Sequence, residues 1–356
     1  MHLLNGKSVA VHTSNRTNPA VIRLTMKASP RNGIQGLRPI SVVGYGHYQV
    51  QYSRIGRGRL SNEYGMIEPL SIDQASKVSP LFQHLTENQP MCTAVLEGIY
   101  PGSVYVENLA RPRTALLTTY IESEAHGTWC FLAGEPEKDG FNRSLNSAIF
   151  SRQIIAHNTP ILFFTCDPDG WGGQMDAVMA PRPPIWIPRR HFVSRRVDFD
   201  WRAALPTGFT VEPMNQELRR LPGIQMPEDV AAALSKWKAM AHPQFTDFGF
   251  AILDRTRPQL TIAGWATVDF IAAGAGDLGF FTQPDYRRAG LGTIAASAAL
   301  EHGFNIGLQQ VHWTCDADNP GSILTAQKLG LERMEDYHQA VLLMNEKSHM
   351  AFFQRD

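Results

Sequence analysis

The chemistry most legible in this chain lies in the glycines of Arg287-Arg288-Ala289-Gly290-Leu291-Gly292-Thr293. A β-rich stretch at 277–282 precedes them, and an alanine-rich helical stretch from about Thr293 to His302 follows. The first turn of a helix has unpaired N–H groups and a partial positive charge. Glycines let that backbone close around an anion, so the turn suits a pyrophosphate. It is not a Walker A loop, because no Gly-Lys-Ser/Thr follows, and it is not the Gly-x-Gly-x-x-Gly of a dinucleotide fold. A dinucleotide loop would also follow the first strand of its half, whereas this one follows the third. Taken alone, Arg-x-x-Gly-x-Gly is a weak pattern and more simply a plain strand-to-helix turn; its place between strand and helix favours the anion.

Candidate proton carriers surround this turn in sequence. Asp277 begins the strand before it, and His312 and Asp316 flank a later strand at 311–315. Cys315 is a thiol in the same strand. The twelve histidines show no His-x-x-x-His pair and the four cysteines no Cys-x-x-Cys, so no metal is expected. Asp167-Pro168-Asp169-Gly170 lacks the further oxygen ligands of an EF-hand and is expected to be a tight turn.

The elements that must position these groups follow from periodicity. Residues 71–85 carry Ile72, Ala75, Val78 and Leu81 or Phe82 at helical spacing. Short strands are expected at 103–107, 114–121, 128–133 and 161–165, with a helix at 144–156. Pro181-Arg182-Pro183-Pro184 through Pro188 is too stiff for a helix or a central strand, so a domain connection is expected at 181–205. Beyond it come a helix at 227–240, strands at 248–254, 262–270 and 277–282, and the glycine turn with its helix. A strand at 311–315, a helix at 322–329 and a strand at 337–344 finish the order. Such alternation implies an α/β chain with a parallel or mixed sheet.

The stretch Asp277-Leu278-Gly279-Phe280-Phe281-Thr282-Gln283-Pro284-Asp285-Tyr286-Arg287-Arg288-Ala289-Gly290-Leu291-Gly292-Thr293 resembles the acetyl-CoA motif of the GNAT N-acetyltransferases. Asn319-Pro320-Gly321-Ser322 and Lys328-Leu329-Gly330-Leu331 resemble that family's second CoA motif. The layout from Met66 onward is similar to bacterial two-domain GNAT proteins, most specifically over 245–345. The resemblance implies an α+β mixed sheet in two parts, a degenerate GNAT-like domain at 66–190 and a catalytic GNAT domain at 205–356. Acetyl-CoA would be the co-substrate, and a small-molecule or peptide amine the acceptor. The backbone of Arg288, Gly290, Gly292 and Thr293 would hold the pyrophosphate, with Arg287 as a countercharge. The strand bearing Phe280, Phe281 and Thr282 would pair with pantetheine amides, as a peptide adds to a sheet edge. Asn319 and Ser322 would contact the pantetheine arm or the adenosine side. Lys328 would reach a phosphate or stand as a solvated helix charge.

GNAT chemistry has no covalent intermediate, so an amine of pKa ~10.4, only about one part in 10³ neutral at pH 7, must lose a proton before direct attack. Asp277 is the first choice of base, against the reading of a solvated strand-end carboxylate. His312 and Asp316 offer a route through water, although a histidine so placed is more often a hydrogen-bonded structural residue, and Cys315 is not needed. Many family members carry a tyrosine acid two residues before the lysine of the second motif. Here that position is Ala326, and Tyr337 is the nearest substitute, against the reading, slightly favoured, of an amphipathic tyrosine packed at a strand end. The missing tyrosine keeps a second reading open, a non-catalytic acyl-CoA-binding sensor or scaffold.

Composition sets the remaining bounds. Residues 1–60 hold nine basic and no acidic side chains, leaving 24 basic against 33 acidic beyond them. The expectation is a basic, disordered leader over 1–65. It reads as an arm for an anionic partner, a targeting peptide, or translated upstream sequence ahead of a start near Met66. A nucleic-acid role has only this leader behind it. The acidic remainder mildly favours a cationic amine. Cys92, Cys130, Cys166 and Cys315, with no apolar run long enough for a span, suggest reduced thiols in a cytoplasmic protein.

Overall fold

Four antiparallel strands followed by a helical crossover to a parallel fifth: this order occurs twice in the chain, without a repeat visible in its sequence. The computed structural model describes residues 67–120, 127–155, 159–239 and 247–345, together with the strand pair β1 (Val21–Ile22) and β2 (Val42–Val43). The rest of the expected leader lies outside the described residues. Residues 1–58 and 59–356 form separate units, and everything below concerns the second.

The first half begins with β3 (Glu68–Leu70). A single helix is expected at 71–85. Two 3₁₀ turns, Ile72–Lys77 and Ser79–Phe82, stand there, followed by α1 (Gln83–Asn88) and α2 (Pro90–Leu96). Pro80 and Pro90 lack the amide hydrogen an upstream helix needs, so each starts a new turn. Strands β4 (Gly102–Val106), β5 (Thr114–Tyr120) and β6 (Thr128–Gly134) complete an antiparallel meander. Helix α3 (Asp139–Phe150) then crosses to β7 (Ile161–Asp167), which pairs parallel with β6. The segment after Asp167 is a turn into a 3₁₀ helix and the short α4 (Met175–Met179), as its Pro and Gly residues suggest.

A ten-residue strand, β8 (Ile185–Ser194), replaces the extended connection expected from the prolines. Its pairing with β13 (Gln310–Asp316) starts only at Arg189, so Pro188 sits where that neighbour has already ended. The missing N–H therefore breaks no ladder bond there, while the Pro188 carbonyl accepts from Ala317. A four-residue α5 (Trp201–Ala204), capped by the Asp200 carboxylate, leads to β9 (Phe209–Pro213).

The second half repeats the pattern. Helix α6 (Glu228–Ala239) precedes β10 (Phe248–Asp254), β11 (Thr261–Ala272) and β12 (Ala275–Thr282). Helix α7 (Leu291–Asn305) crosses to β13, and α8 (Pro320–Lys328), β14 (Glu332–Arg333) and β15 (Tyr337–Leu343) follow. Strands β8 and β15 are exchanged between the halves. The sheet order is β3-β4-β5-β6-β7-β15-β8-β13-β12-β11-β10-β9, with β14 beside β8, so one mixed sheet runs through the unit. Ala340 and Leu342 of β15 lie in the core under α3, and Phe192 of β8 lies in the core under α7. The segment 181–205 is thus part of this exchange.

Helix α7 is apolar all round because the sheet and neighbouring helices cover it. Its alanines, including Ala295, Ala296 and Ala299, let it lie close to the strands. That packing fixes the helix N-terminus against β12.

Candidate active site

The two halves differ where their parallel strands meet. Strands β6 and β7 pair over six positions, from Thr128 opposite Leu162 to Ala133 opposite Asp167. Strands β12 and β13 pair over three, the last being Asp277 opposite His312, and then separate. Beyond Asp277, β12 remains bonded to β11 on one side, as far as Thr282 opposite Gly264. Its other edge borders a cleft of about 250 Å³ lined by Arg189, Leu278, Gly279, Phe280, Trp313, Thr314, Cys315, Asp316, Asn319 and Ser322. A strand edge with unpaired N–H and C=O groups is a template for another extended, amide-bearing chain.

The glycine turn stands beside that edge. Arg288 and Gly290 both have left-handed backbones, φ +67° and +78°, and Gly290 caps α7 with no side chain bonded to the helix end. Two left-handed residues around Ala289 turn successive N–H groups toward one side, the geometry of an anion nest. A side chain at Gly290 would meet nothing within 4 Å, so it would project into open space. A Cβ at Gly292, by contrast, would lie 2.8 Å from the Phe280 ring and 2.9 Å from Thr282 Oγ1. Gly292 therefore holds α7 against β12, and only Gly290 stands clear of the protein. Arg287 and Arg288 are exposed and take part in no ion pair among the described residues.

On the far wall, the Asn319 side chain accepts the Ser322 N–H (3.0 Å) and caps α8. The Trp313 indole N–H donates to Ser322 Oγ (3.0 Å), and the Trp313 ring lies 4.7 Å from that of Phe280. Asn319 and Ser322 line the cleft, but their polar groups also hold its wall together.

At the vertex sits Asp277. Directly paired residues share a sheet face, so Asp277, Asp269 (its β11 partner) and His312 (its β13 partner) lie on the face opposite α7. Burial, reinforced by the Asp269 charge and opposed by Arg189, pushes the Asp277 carboxyl up to about 7. His312 Nδ1 lies 3.0 Å from His191 Nε2, while His312 Nε2 is buried with no partner among the described residues. Burial first, then the neighbouring His191 and Arg195, push His312 down to about 3, so its ring is neutral at pH 7. Arg189 bonds Asp316 and, at 3.2 Å, Thr314 Oγ1, and it shares a hydrogen bond with Tyr337 opposite it on β15.

A family model described as GNAT acetyltransferase matches residues 79–339. The chain belongs to the GNAT acetyltransferase family. Its fold is similar to a GCN5-related N-acetyltransferase-like protein from Streptococcus suis, with TM-score 0.54, 20% identity, and coverage of 76% of this chain and 98% of that one. A GCN5-related N-acetyltransferase from Sphaerobacter thermophilus gives 0.53, 11%, 80% and 97% for the same quantities. A tandem GNAT protein from the clavulanic acid biosynthesis pathway gives 0.50, 14%, 78% and 98%. At these identities the likeness is one of fold. No curated protein sequence matches the chain.

Within this GNAT fold, the expected residues separate into those at the wedge and those away from it. Phe280, Asn319 and Ser322 line the cleft, and Asp277 and His312 close its vertex. Phe281 is exposed and packs on Trp265, 4.8 Å between rings, on the face away from Phe280. Thr282 and Thr293 flank the glycine turn, Thr293 being buried in the first turn of α7. Lys328 ends α8, exposed and outside the cleft lining. Tyr337 touches the cleft only through Arg189. Arg189 and His191 escaped sequence reasoning because β8 reaches the site through the strand exchange. Cys315 lines the cleft, and burial pushes its thiol up, away from the nucleophilic thiolate. Among the described residues no group of three metal-ligating side chains occurs, and no helix is long and apolar enough to cross a membrane.

Proposed function

We propose that the chain is an acetyl-CoA-dependent N-acetyltransferase in which a small-molecule or peptide amine attacks the thioester directly in a ternary complex. The observation that carries this reading is the three-pair β12–β13 ladder, which opens into a cleft ending at a left-handed glycine turn. The fit to acetyl-CoA rests on three features: an unpaired strand edge, a helix N-terminus with open space at Gly290, and two unpaired arginines beside it.

When bound, the thioester supplies the acyl group. Backbone N–H groups of Arg288, Gly290, Gly292 and Thr293 would hold the pyrophosphate, with Arg287 as a nearby positive charge. The free edge of β12 would align the pantetheine amides. Asp277, at the vertex, takes the proton the amine must lose. A carboxylate near 7 is a far better acceptor than one at its ordinary ~3.9. Tyr337 is the proton donor offered to the departing thiolate, held by Arg189. Tyr337→Phe is expected to lower kcat by about 10²-fold with little change in acetyl-CoA affinity; unchanged steady-state kcat would remove it from the chemistry.

The test of the cofactor site is calorimetric titration of acetyl-CoA into the wild type and into Gly290→Trp. The indole would occupy the space beside the turn, and heat of binding should be lost while the circular dichroism spectrum stays. No binding by folded wild-type protein would sink the acetyltransferase reading. The second reading, an acyl-CoA sensor, has one observation behind it: Ala326 is fully buried in the core of α8, where many relatives carry their acid. Binding without turnover across a broad panel of amines would favour the sensor.

A further inference from the structure

Phe270 has a left-handed backbone, φ +57°, near the end of β11. It lies at the bulge where the β11–β12 register shifts between Asp269 and Ala272. A bulky residue in that region persists only where its surroundings enforce it, and bulges re-aim side chains. Here the bulge turns Phe270 onto Tyr100 of the first half, with ring centroids 4.3 Å apart, and both rings join the core of that half. Asp269, one residue earlier, keeps its register opposite Asp277.

A buried polar cluster fills the space between them. Lys236 Nζ of α6 lies 2.5 Å from Asp269 Oδ1 and 3.8 Å from Asp247 Oδ2. The same ammonium stands 5.6 Å and 5.9 Å from the ring centroids of Tyr100 and Phe270. The Tyr100 hydroxyl donates to Asp247 (2.9 Å), whose other oxygen accepts from the Ile271 N–H (3.3 Å). The side chains of Lys236, Asp247 and Asp269 are 17%, 1% and 19% exposed.

We propose that Asp269 is a positioning residue for acetyl transfer: a fixed negative charge, clasped by Lys236, that faces Asp277 across the β11–β12 ladder and tunes it as a proton acceptor. This rests on the reading of Asp277 as the base. Burial pushes Asp269 up, but attraction and hydrogen bonding from Lys236 hold it below the usual carboxylate range, so it stays ionised. Asp247 is pushed up, first by its own burial and then by the Asp269 charge. The proton of that pair therefore sits on Asp247 and the charge on Asp269, the member beside Asp277. The other groups facing Asp277 are Arg189 from β8, whose charge opposes the effect, and the neutral His312 from β13. Tyr100 comes from the first half, whose parallel strands stay paired over six positions, so that half helps to build the proposed centre.

The experiment is carboxyl ¹³C NMR of the full chain labelled at aspartate, with Asp277 assigned through Asp277→Asn, alongside the pH profile of kcat/KM. In Asp269→Asn the Asp277 midpoint should fall by about one pH unit, and the acidic limb of kcat/KM should move with it. Asp269→Glu, which keeps the charge, should leave both near wild type. An unmoved midpoint in folded Asp269→Asn overturns the proposal. So does titration of Asp269 itself in the wild type between about pH 5 and 8, a measurement that needs no variant to fold. A midpoint that moves while the kcat/KM limb stays fixed refutes instead the assignment of Asp277 as base.

Discussion

Asp277→Asn is expected to lower kcat by about 10²–10⁴-fold, the usual worth of a positioned proton acceptor, while calorimetry shows acetyl-CoA binding unchanged. The substitution is nearly isosteric, and the cleft lining begins one residue later, at Leu278. In the wild type, kcat/KM should fall below about pH 7, because the free enzyme's base must be ionised and Asp277 loses its proton near that value. The variant should lack this limb. Stability supplies an independent check of sign. The folded-state value of about 7 lies above the ordinary carboxyl value, so the fold favours the protonated form. Asp277 therefore favours folding at low pH, and that contribution disappears as pH rises through about 7. Asparagine has no charge to bury, so the melting temperature of the variant should gain on the wild type between about pH 5 and 8. Full activity in folded Asp277→Asn would assign proton removal elsewhere.

What the sequence discloses here is what is local. Residues 248–254 are a strand in both reading and structure, and the turn at Gly290 falls between its strand and its helix. Glycine type, helical spacing and β-branched runs each act within a few residues, so they leave a mark in the string. Long-range pairings leave none. Arg189 enters the cleft because β8 is exchanged between the halves, and the bond from Tyr100 to Asp247 spans 147 positions. The bulge at Phe270 was equally silent, since a phenylalanine within a β-rich run gives no hint of a left-handed backbone. Three-pair against six-pair ladders, the difference that marks the cleft-bearing half, depend on where strands separate and not on composition. Asp277 shows the same division. Its place near the start of a strand was legible, although β12 begins two residues earlier, at Ala275; its half-buried setting beside Asp269 and Arg189 was not, and that environment is what suits it to the proposed role.

Lys236→Met is expected to destabilise the protein by about 3–5 kcal/mol near pH 8, since it leaves a buried charge without its partner. The stem still packs near Tyr100 and Phe270, so loss of apolar contact is small. What remains is Asp269, held ionised in the wild type chiefly by Lys236 against its own burial. In the wild type its value lies below that of the unfolded chain, so it contributes stability above the unfolded value and loses it as pH falls. In the variant, only the weaker hydrogen bonds from Thr267 and Asp247 oppose burial, and the sign reverses: the folded value rises above the unfolded one, and stability is lost as pH rises. The gap between the two proteins should therefore be widest near pH 8 and narrow toward about pH 4, as urea unfolding at the two pH values would show. A gap that stays constant with pH would mean that Lys236 acts through packing and not through charge. The double variant Lys236→Met/Asp269→Asn sharpens the test, because removing both members of a buried pair costs far less than removing one. It should recover most of the stability lost in Lys236→Met. It should also leave Asp277 titrating below its wild-type midpoint, since the charge that faced it would be gone.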